Sequence, residues 1–420
     1  MRAGAFPSRV RSARLSSWLG LALGVAFGVC FVTGLLSHLV QHPPGWFGWP
    51  SRPVGLYRFT QGLHVATGLA SVPLLGAKLW SVYPRLFQWP PARSVVHAAE
   101  RVSVAVLVAA ALFQVVGGVL NVGRWYAPMP FFFTAAHYWV GWLVIGALLV
   151  HIGVQLPVVR AALARPVPQR PGDRAGTEGE PMGEDEPVSA DVAGGDVVRG
   201  DVVRGDVVRG DVVRGDVVGG LSRRGILGGV AVAAGLVTVT SVGQTAGPLS
   251  PLVVLVPRRP DDGPQGLPVN RTADRAGVRD LALGPAYRLT VAAPGREIGL
   301  GLDALHALVQ HTVELPISCV EGWSATGLWS GVRLRDLVAL VGTDPDRAAV
   351  EVESLEAAGR YRTSVVAPEH TRDPLTLIAL RLGGEPLHLD HGYPARLIAP
   401  NRPGVMQTKW LGRITVRELR

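Results

Sequence analysis

Four long apolar stretches, roughly 18–40, 59–82, 102–122 and 131–158, constrain this chain more than any other feature of its 420 residues. Each is about the 20 residues that a helix needs to cross the hydrocarbon core of a bilayer. Unsatisfied backbone groups are excluded from lipid, so runs of this length predict helices. The expectation is an all-α transmembrane four-helix bundle over residues 1–160. Arg2, Arg9, Arg11 and Arg14 precede the first run, and the loop after the second carries Lys78, Arg85, Arg93 and Arg101. By the positive-inside rule both face the cytoplasm. The opposite loops, "HPPGWFGWPSRP" and "GRWYAPMPFFF", are aromatic and nearly uncharged, as expected at a membrane interface. Membrane lipid is therefore the first predicted partner. The net charge of +9 comes from scattered arginines, with no basic block interleaved with aromatics, which argues against nucleic-acid binding.

Residues 161–220 change character. They are rich in Pro, Gly, Glu and Asp, then run through "GDVVRGDVVRGDVVRGDVVRGDVVG", successive five-residue units that match neither the helix nor the strand period. The reading is a flexible cytoplasmic linker, with an ordered β-repeat as the alternative, since paired valines favour strands. Residues 221–257 open with "LSRRGILGG" and continue apolar to Val256. This is a fifth transmembrane segment whose Arg223–Arg224 pair looks like a twin-arginine export signal. The alternative is that the two arginines act only as positive-inside anchors. Residues 258–420 read as an extracytoplasmic α+β domain. "YRLTVAAPG", "AAVEVESLEA" and "LGRITV" suggest strands, and "LDALHALVQ" and "LRDLVALVG" have helical spacing.

Only two cysteines occur, Cys30 in an apolar run and Cys319 in the C-terminal domain, so the chain is not a disulfide scaffold. Cys319 lies in "ELPISCVEGWSATGLWSGVRLRDLVALVG", and "HGYPARLIAPNRPGVMQTKWLGRI" follows at 391–414. With "VNRTADRAG" (269–277), "RYRTSVVAPEH" (360–370) and "ALRLGGEPLHLDHGYPARL" (379–397), these segments resemble the sulfite-oxidase-type molybdopterin domain, over about residues 265–420. "CVEGWS" looks more like the periplasmic protein-methionine-sulfoxide reductase branch than like sulfite oxidases. The resemblance implies oxygen-atom transfer at molybdenum bound to molybdopterin, with Cys319 as the protein thiolate. A thiolate is a soft, strongly donating ligand suited to that role. It further implies a catalytic role for Tyr361, and cofactor binding by Asn270, His391, Arg396 and Lys409, the last two suited to the pterin phosphate. Because this cofactor is inserted in the cytoplasm, the domain would fold before crossing. A twin-arginine translocase, which carries folded domains, is thus the predicted export partner.

Histidines inside membrane spans are costly and usually functional. His64 and His137 each lie about six residues into their spans from the same side of the membrane, the arrangement that bis-His haem b ligation needs. His151 is fourteen residues beyond His137, about 21 Å along a helix and close to the same face. With His97 it could hold a second haem. His38 could replace one ligand of the first. The alternative is that these histidines hydrogen-bond between helices. The bundle resembles the cytochrome b anchors of membrane oxidoreductases, which implies haem b, one or two, relaying electrons to or from quinone. The expected protein is a membrane-bound molybdopterin-dependent oxidoreductase of the bacterial cytoplasmic membrane, acting on a small-molecule or protein-sulfoxide substrate. The alternatives are a sulfite-oxidase-like dehydrogenase, and a non-catalytic haem b membrane protein with a degenerate outer domain.

Overall fold

The computed structural model describes residues 11–89, 94–164, 222–259 and 261–418. The linker with its pentapeptide units lies outside the described residues, as do Arg2, Arg9 and Arg93.

Among the described residues, five helices are long and apolar enough to cross a membrane: α1 (Ala13–Gln41), α2 (Leu56–Leu86), α3 (Val95–Val122), α4 (Phe133–Ala164) and α5 (Arg223–Val242). Large apolar side chains such as Val25, Leu143, Leu149, Val232 and Leu236 stand exposed on them, a surface that lipid and not water would cover. Ser12, Ser94 and Ser222 cap the N-termini of α1, α3 and α5 through their hydroxyls. The first four helices are longer than the apolar runs that predict them, because polar ends continue the helix past the membrane boundary. α1 packs on α2 and α4, and α3 on α4. α5 does not stand apart from this bundle. It packs along α2, where Val65 and Leu69 meet Val237 and Val242, and Thr238 Oγ1 donates to the Ala66 carbonyl at 3.3 Å. α5 ends at Val242, well short of the end of its apolar run. Gly243, Gly247, Pro248 and Pro251 follow, and the chain turns back through 3₁₀ segments, so that Val254 and Leu255 N–H donate to the Thr240 carbonyl.

The C-terminal domain is α+β. One sheet has the order β2–β1–β10–β5–β6: β1 (Leu289–Ala293), β2 (Arg296–Leu300), β5 (Ala348–Ser354), β6 (Thr363–Val366) and β10 (Leu411–Glu418). β1 and β10 pair in parallel and the other contacts are antiparallel. The alternating burial of β5 sends Ala348, Val350 and Val352 into a core shared with Ile414, Leu337 and Leu397. The second sheet is β3 (His311–Ser318), β4 (Ser324–Arg333), β7 (Leu377–Leu382) and β8 (Glu385–Pro386), with β9 (Arg396–Ile398) also on β7. The strands and short helices predicted from the sequence are all present.

The β3–β4 hairpin positions the site. Its tip is the five-residue loop Cys319-Val320-Glu321-Gly322-Trp323, closed by Cys319 N–H donating to the Trp323 carbonyl at 2.9 Å and Gly322 N–H to the Cys319 carbonyl at 3.0 Å. Gly322 has φ +95°, which only glycine adopts without strain, and a Cβ there would come within 3.1 Å of Val65 on α2. The tip therefore rests directly on α2.

Candidate oxotransfer site at the hairpin tip

Cys319 is buried, at 1% exposure, among Ile317, Trp323, Ala325 and Leu382. Burial pushes its thiol up to about 12, reinforced by the Glu321 carboxylate. The backbone N–H groups of Glu321 and Val320 and the Arg258 guanidinium act the other way. A buried thiol of this kind is inert unless a cation takes the place of its proton, so the hairpin tip offers a ready-made single thiolate donor. Arg258, from the segment after α5, forms an ion pair with Glu321, and Trp323 Nε1 donates to the same carboxylate at 3.3 Å.

Beside the tip lies a cavity of ≈ 260 Å³ lined by Ile317 and Trp323 on either side of the cysteine loop, and by Asn270, Tyr361, His391, Arg396 and Lys409. All five cofactor-binding or catalytic residues expected beside Cys319 thus converge on one cavity, while Cys319 sits just behind its wall. The cavity is basic, with Arg271, Arg360, Arg396 and Lys409 against Glu356 and Asp390 in its lining. Arg396 is 4% exposed, donates to the carbonyls of His391 (2.9 Å) and Gln407 (3.1 Å), and leaves Nε without a partner. Burial lowers it to about 9. Lys409 Nζ donates to the Arg271 and Asp390 carbonyls at 2.5 and 3.0 Å. Burial first, and Arg396 second, lower it to about 7, partly offset by Asp390 and Glu356. Two desolvated cations and an orphaned guanidinium N–H fit an anionic group such as a phosphate, which would relieve both penalties. Burial also lowers His391 to about 4; its Nε2 faces the Pro264 carbonyl at 2.6 Å, so the neutral ring is a donor there. Burial holds the Tyr361 phenol above its usual value, Arg360 opposes the rise, and a charge on Cys319 adds to it.

At the membrane side, the imidazoles of His64 and His137 face each other with ring centres 6.0 Å apart and planes at 83°. Two metal–imidazole bonds of about 2 Å each fit a gap of this size. His64 Nδ1–H donates to the Cys30 carbonyl at 2.8 Å, which leaves Nε2 as the available ligand atom. The other two histidines are not level with each other. Gln155 Nε2 donates to Glu100 at 3.1 Å, and Gln114 to the His137 carbonyl at 2.8 Å, which fixes α3 antiparallel to α4. His97 then faces the stretch beyond Gln155, about two turns from His151. His38 stacks on Tyr138 at 3.8 Å instead of facing His64.

Spacing in the sequence gives no hint of the residues that join the two halves. Asn401, with φ 57°, accepts from Tyr57 N–H at 2.5 Å, donates to the Pro50 carbonyl at 2.5 Å, and takes Trp49 Nε1–H on its own carbonyl at 2.9 Å. Arg52 makes a bidentate pair with Asp373, both bonds 2.9 Å. Trp49, Pro50 and Arg52 belong to the aromatic loop read above as membrane interface, and they contact the C-terminal domain.

A single buried cysteine at a hairpin tip, beside a basic cavity, fits a molybdopterin-binding oxidoreductase domain. Comparison agrees: residues 278–420 match the family model of the oxidoreductase molybdopterin binding domain, and the C-terminal domain is of the sulfite-oxidase type. The chain is 31% identical over 157 residues to mitochondrial sulfite oxidase of Rattus norvegicus, covering 31% of this chain and 29% of that protein. It is 36% identical over 110 residues to a putative protein-methionine-sulfoxide reductase subunit of Azospira oryzae, covering 26% of this chain and 40% of that one. It is also 40% identical over 105 residues to an NAD(P)H nitrate reductase of Hordeum vulgare, covering 23% and 12%. The chain thus spans well under half the length of each of these relatives.

Proposed function

We propose that the chain is a membrane-bound oxotransferase that reduces sulfoxide-like substrates on the extracytoplasmic side with electrons from quinol. The observation that carries this reading is the seat of the Cys319 hairpin on α2. Gln61 and Val65, which touch its tip, flank His64, which in turn faces His137. Two redox groups held at these places would be near neighbours.

Cys319 is the protein ligand to molybdenum, Arg396 and Lys409 hold the pterin phosphate, and Asn270 and His391 hydrogen-bond the pterin. The bound cofactor supplies two-electron oxygen-atom transfer. The chain's own part is to exclude water, neutralise the phosphate and hold the Tyr361 hydroxyl at the cavity wall beside the substrate. The balanced reaction takes R₂S=O, two electrons and two protons to R₂S and water, and a quinol releases both electrons and protons. His64 and His137 hold one haem b, which supplies one-electron relay; the offset of His97 from His151 gives no support to a second. Arg223 and Arg224, at the start of α5, direct export of the folded C-terminal domain by the twin-arginine translocase.

A second reading, a dehydrogenase that oxidises sulfite, is favoured by the 31% identity to rat sulfite oxidase. The test is a purified full-length protein with molybdenum and haem quantified, assayed on dimethyl sulfoxide, methionine sulfoxide and sulfite with dye donors and acceptors. Sulfoxide reduction with about one haem per molybdenum is the expected result. Sulfite oxidation alone supports the second reading, and a protein that takes up no molybdenum overturns both.

A further inference from the structure

Arg360 and Tyr361 stand side by side at the wall of the cavity, and each is gripped by a residue of the membrane domain. The Arg360 guanidinium lies 4.9 Å over the ring of Phe132, from the loop before α4, and both side chains line the cavity. The Tyr361 hydroxyl donates to Gln41 Oε1 at 3.4 Å, at the end of α1. From Gln41 a chain of hydrogen bonds runs through the bundle. Gln41 Nε2 donates to the Ser37 carbonyl (3.0 Å) and hydroxyl (3.2 Å), and Ser37 Oγ donates to Gln61 Oε1 (3.1 Å). Tyr57 OH meets Ser37 Oγ at 3.0 Å, and Gln61 Nε2 donates to the Val320 carbonyl at 3.3 Å. The chain begins on a cavity residue and ends on the residue after Cys319. Ser37, Tyr57 and Gln61 are all buried. A buried polar network is costly when partly satisfied and fixes one geometry when complete.

We propose that the membrane domain completes the oxotransfer site: Gln41 is a positioning residue for Tyr361, and Phe132, with Arg360 stacked on it, is the wall that selects substrate at the cavity mouth. This rests on the reading of the cavity as the oxotransfer site. It does not depend on haem or quinone, because neither grip involves a histidine. A network that served docking alone would have no reason to reach the hydroxyl of Tyr361. Docking is already provided by Arg52–Asp373 and Asn401, at other points of the interface.

The experiment uses the full-length holoprotein in detergent, driven by a reduced dye, with dimethyl sulfoxide and methionine sulfoxide as probes. Gln41→Leu should lower kcat about fivefold on both, with KM nearly unchanged. Tyr361→Phe should add no further loss in that background, as expected for two residues acting as one unit. Phe132→Ala should raise KM about fivefold for methionine sulfoxide and much less for dimethyl sulfoxide, because the larger probe reaches the wall. Arg52→Ala, which removes a docking contact only, should change none of these. Independently of turnover, Gln41→Leu should speed hydrogen exchange at 358–363 and alter the Mo(V) resonance, while Arg52→Ala does neither. If Gln41→Leu and Arg52→Ala behave alike in exchange and resonance, the network is a docking device and the proposal fails. If the wild type reduces neither sulfoxide, the proposed reaction fails, and exchange and resonance still decide the role of Gln41.

Discussion

Asn401 of the C-terminal domain caps the first turn of α2, its Oδ1 accepting from Tyr57 N–H at 2.5 Å, where Gly55 provides no side-chain cap of its own. A helix that begins at a domain interface has thus been given its cap by the other domain. Truncation to alanine removes both side-chain bonds, to Tyr57 and Pro50, and leaves a residue with a Cβ at φ 57°. Asn401→Ala should lower the stability of the interface by about 2 kcal/mol, the upper end for loss of a cap. Limited proteolysis of the full chain in detergent checks this. Faster cleavage in the loop 42–55 is expected, and an unchanged rate would mean that the cap contributes nothing.

Cys319→Ser keeps the size of the side chain and removes the soft donor. The hairpin is held by β3–β4 pairing and the Cys319–Trp323 backbone bond, neither of which needs sulfur. The variant should therefore fold with a melting temperature near that of the wild type and lose oxotransfer by at least about a hundredfold, the scale of losing an essential catalytic group. Turnover within a few fold of wild type would exclude Cys319 as a metal ligand.

The helices and strands were legible in the sequence, and the residues singled out from its motifs, Asn270, Tyr361, His391, Arg396 and Lys409, line one cavity beside the Cys319 hairpin. Apolar length and period-2 alternation are local signals, and the motifs carry the cofactor chemistry with them. The interface was not legible. Gln41, Gln61, Phe132 and Asn401 make their contacts across some 200–350 positions, and nothing in a single sequence marks which polar residue at a helix end faces a partner. The contacts of Trp49 and Arg52 with the C-terminal domain were hidden in the same way, since a tryptophan-rich loop signals an interface without saying with what. The end of α5 at Val242 was legible in principle, because Gly243 and two prolines follow, but the apolar run masked it.

Lys409 sets a pH dependence that the cofactor should abolish. Its pKa falls from 10.5 in the unfolded chain to about 7 in the fold, chiefly by burial. Between those values the unfolded chain binds more protons, so the stability of the cofactor-free protein should rise with pH from about 7 towards 10. A phosphate beside Lys409 favours its charged form and removes that rise. Thermal melts from pH 6 to 10, with and without cofactor, should show a steeper increase in the apo protein, and Lys409→Met should flatten it. Parallel apo and holo curves would place the phosphate elsewhere.

The last prediction separates the two halves. His137 is carried by α4 and faces only His64 and its own bundle, while Cys319, Arg396 and Lys409 are built from β3–β4, β9 and the segment before β10. If one haem is shared by His64 and His137, His137→Ala removes an axial ligand and the bis-imidazole absorption bands with it. Quinol-driven turnover should then fall to background. Dye-driven turnover should stay within about twofold of wild type, since reduced dye can deliver electrons to the molybdenum site without the bundle. His97→Ala should leave the haem complement unchanged, because His97 stands about two turns from the level of His151. The optical spectrum and both rates are recorded for each variant. A full haem complement and an undiminished quinol-driven rate in His137→Ala would show that electrons reach Cys319 by another path, and would leave His64 and His137 as a packing contact between α2 and α4.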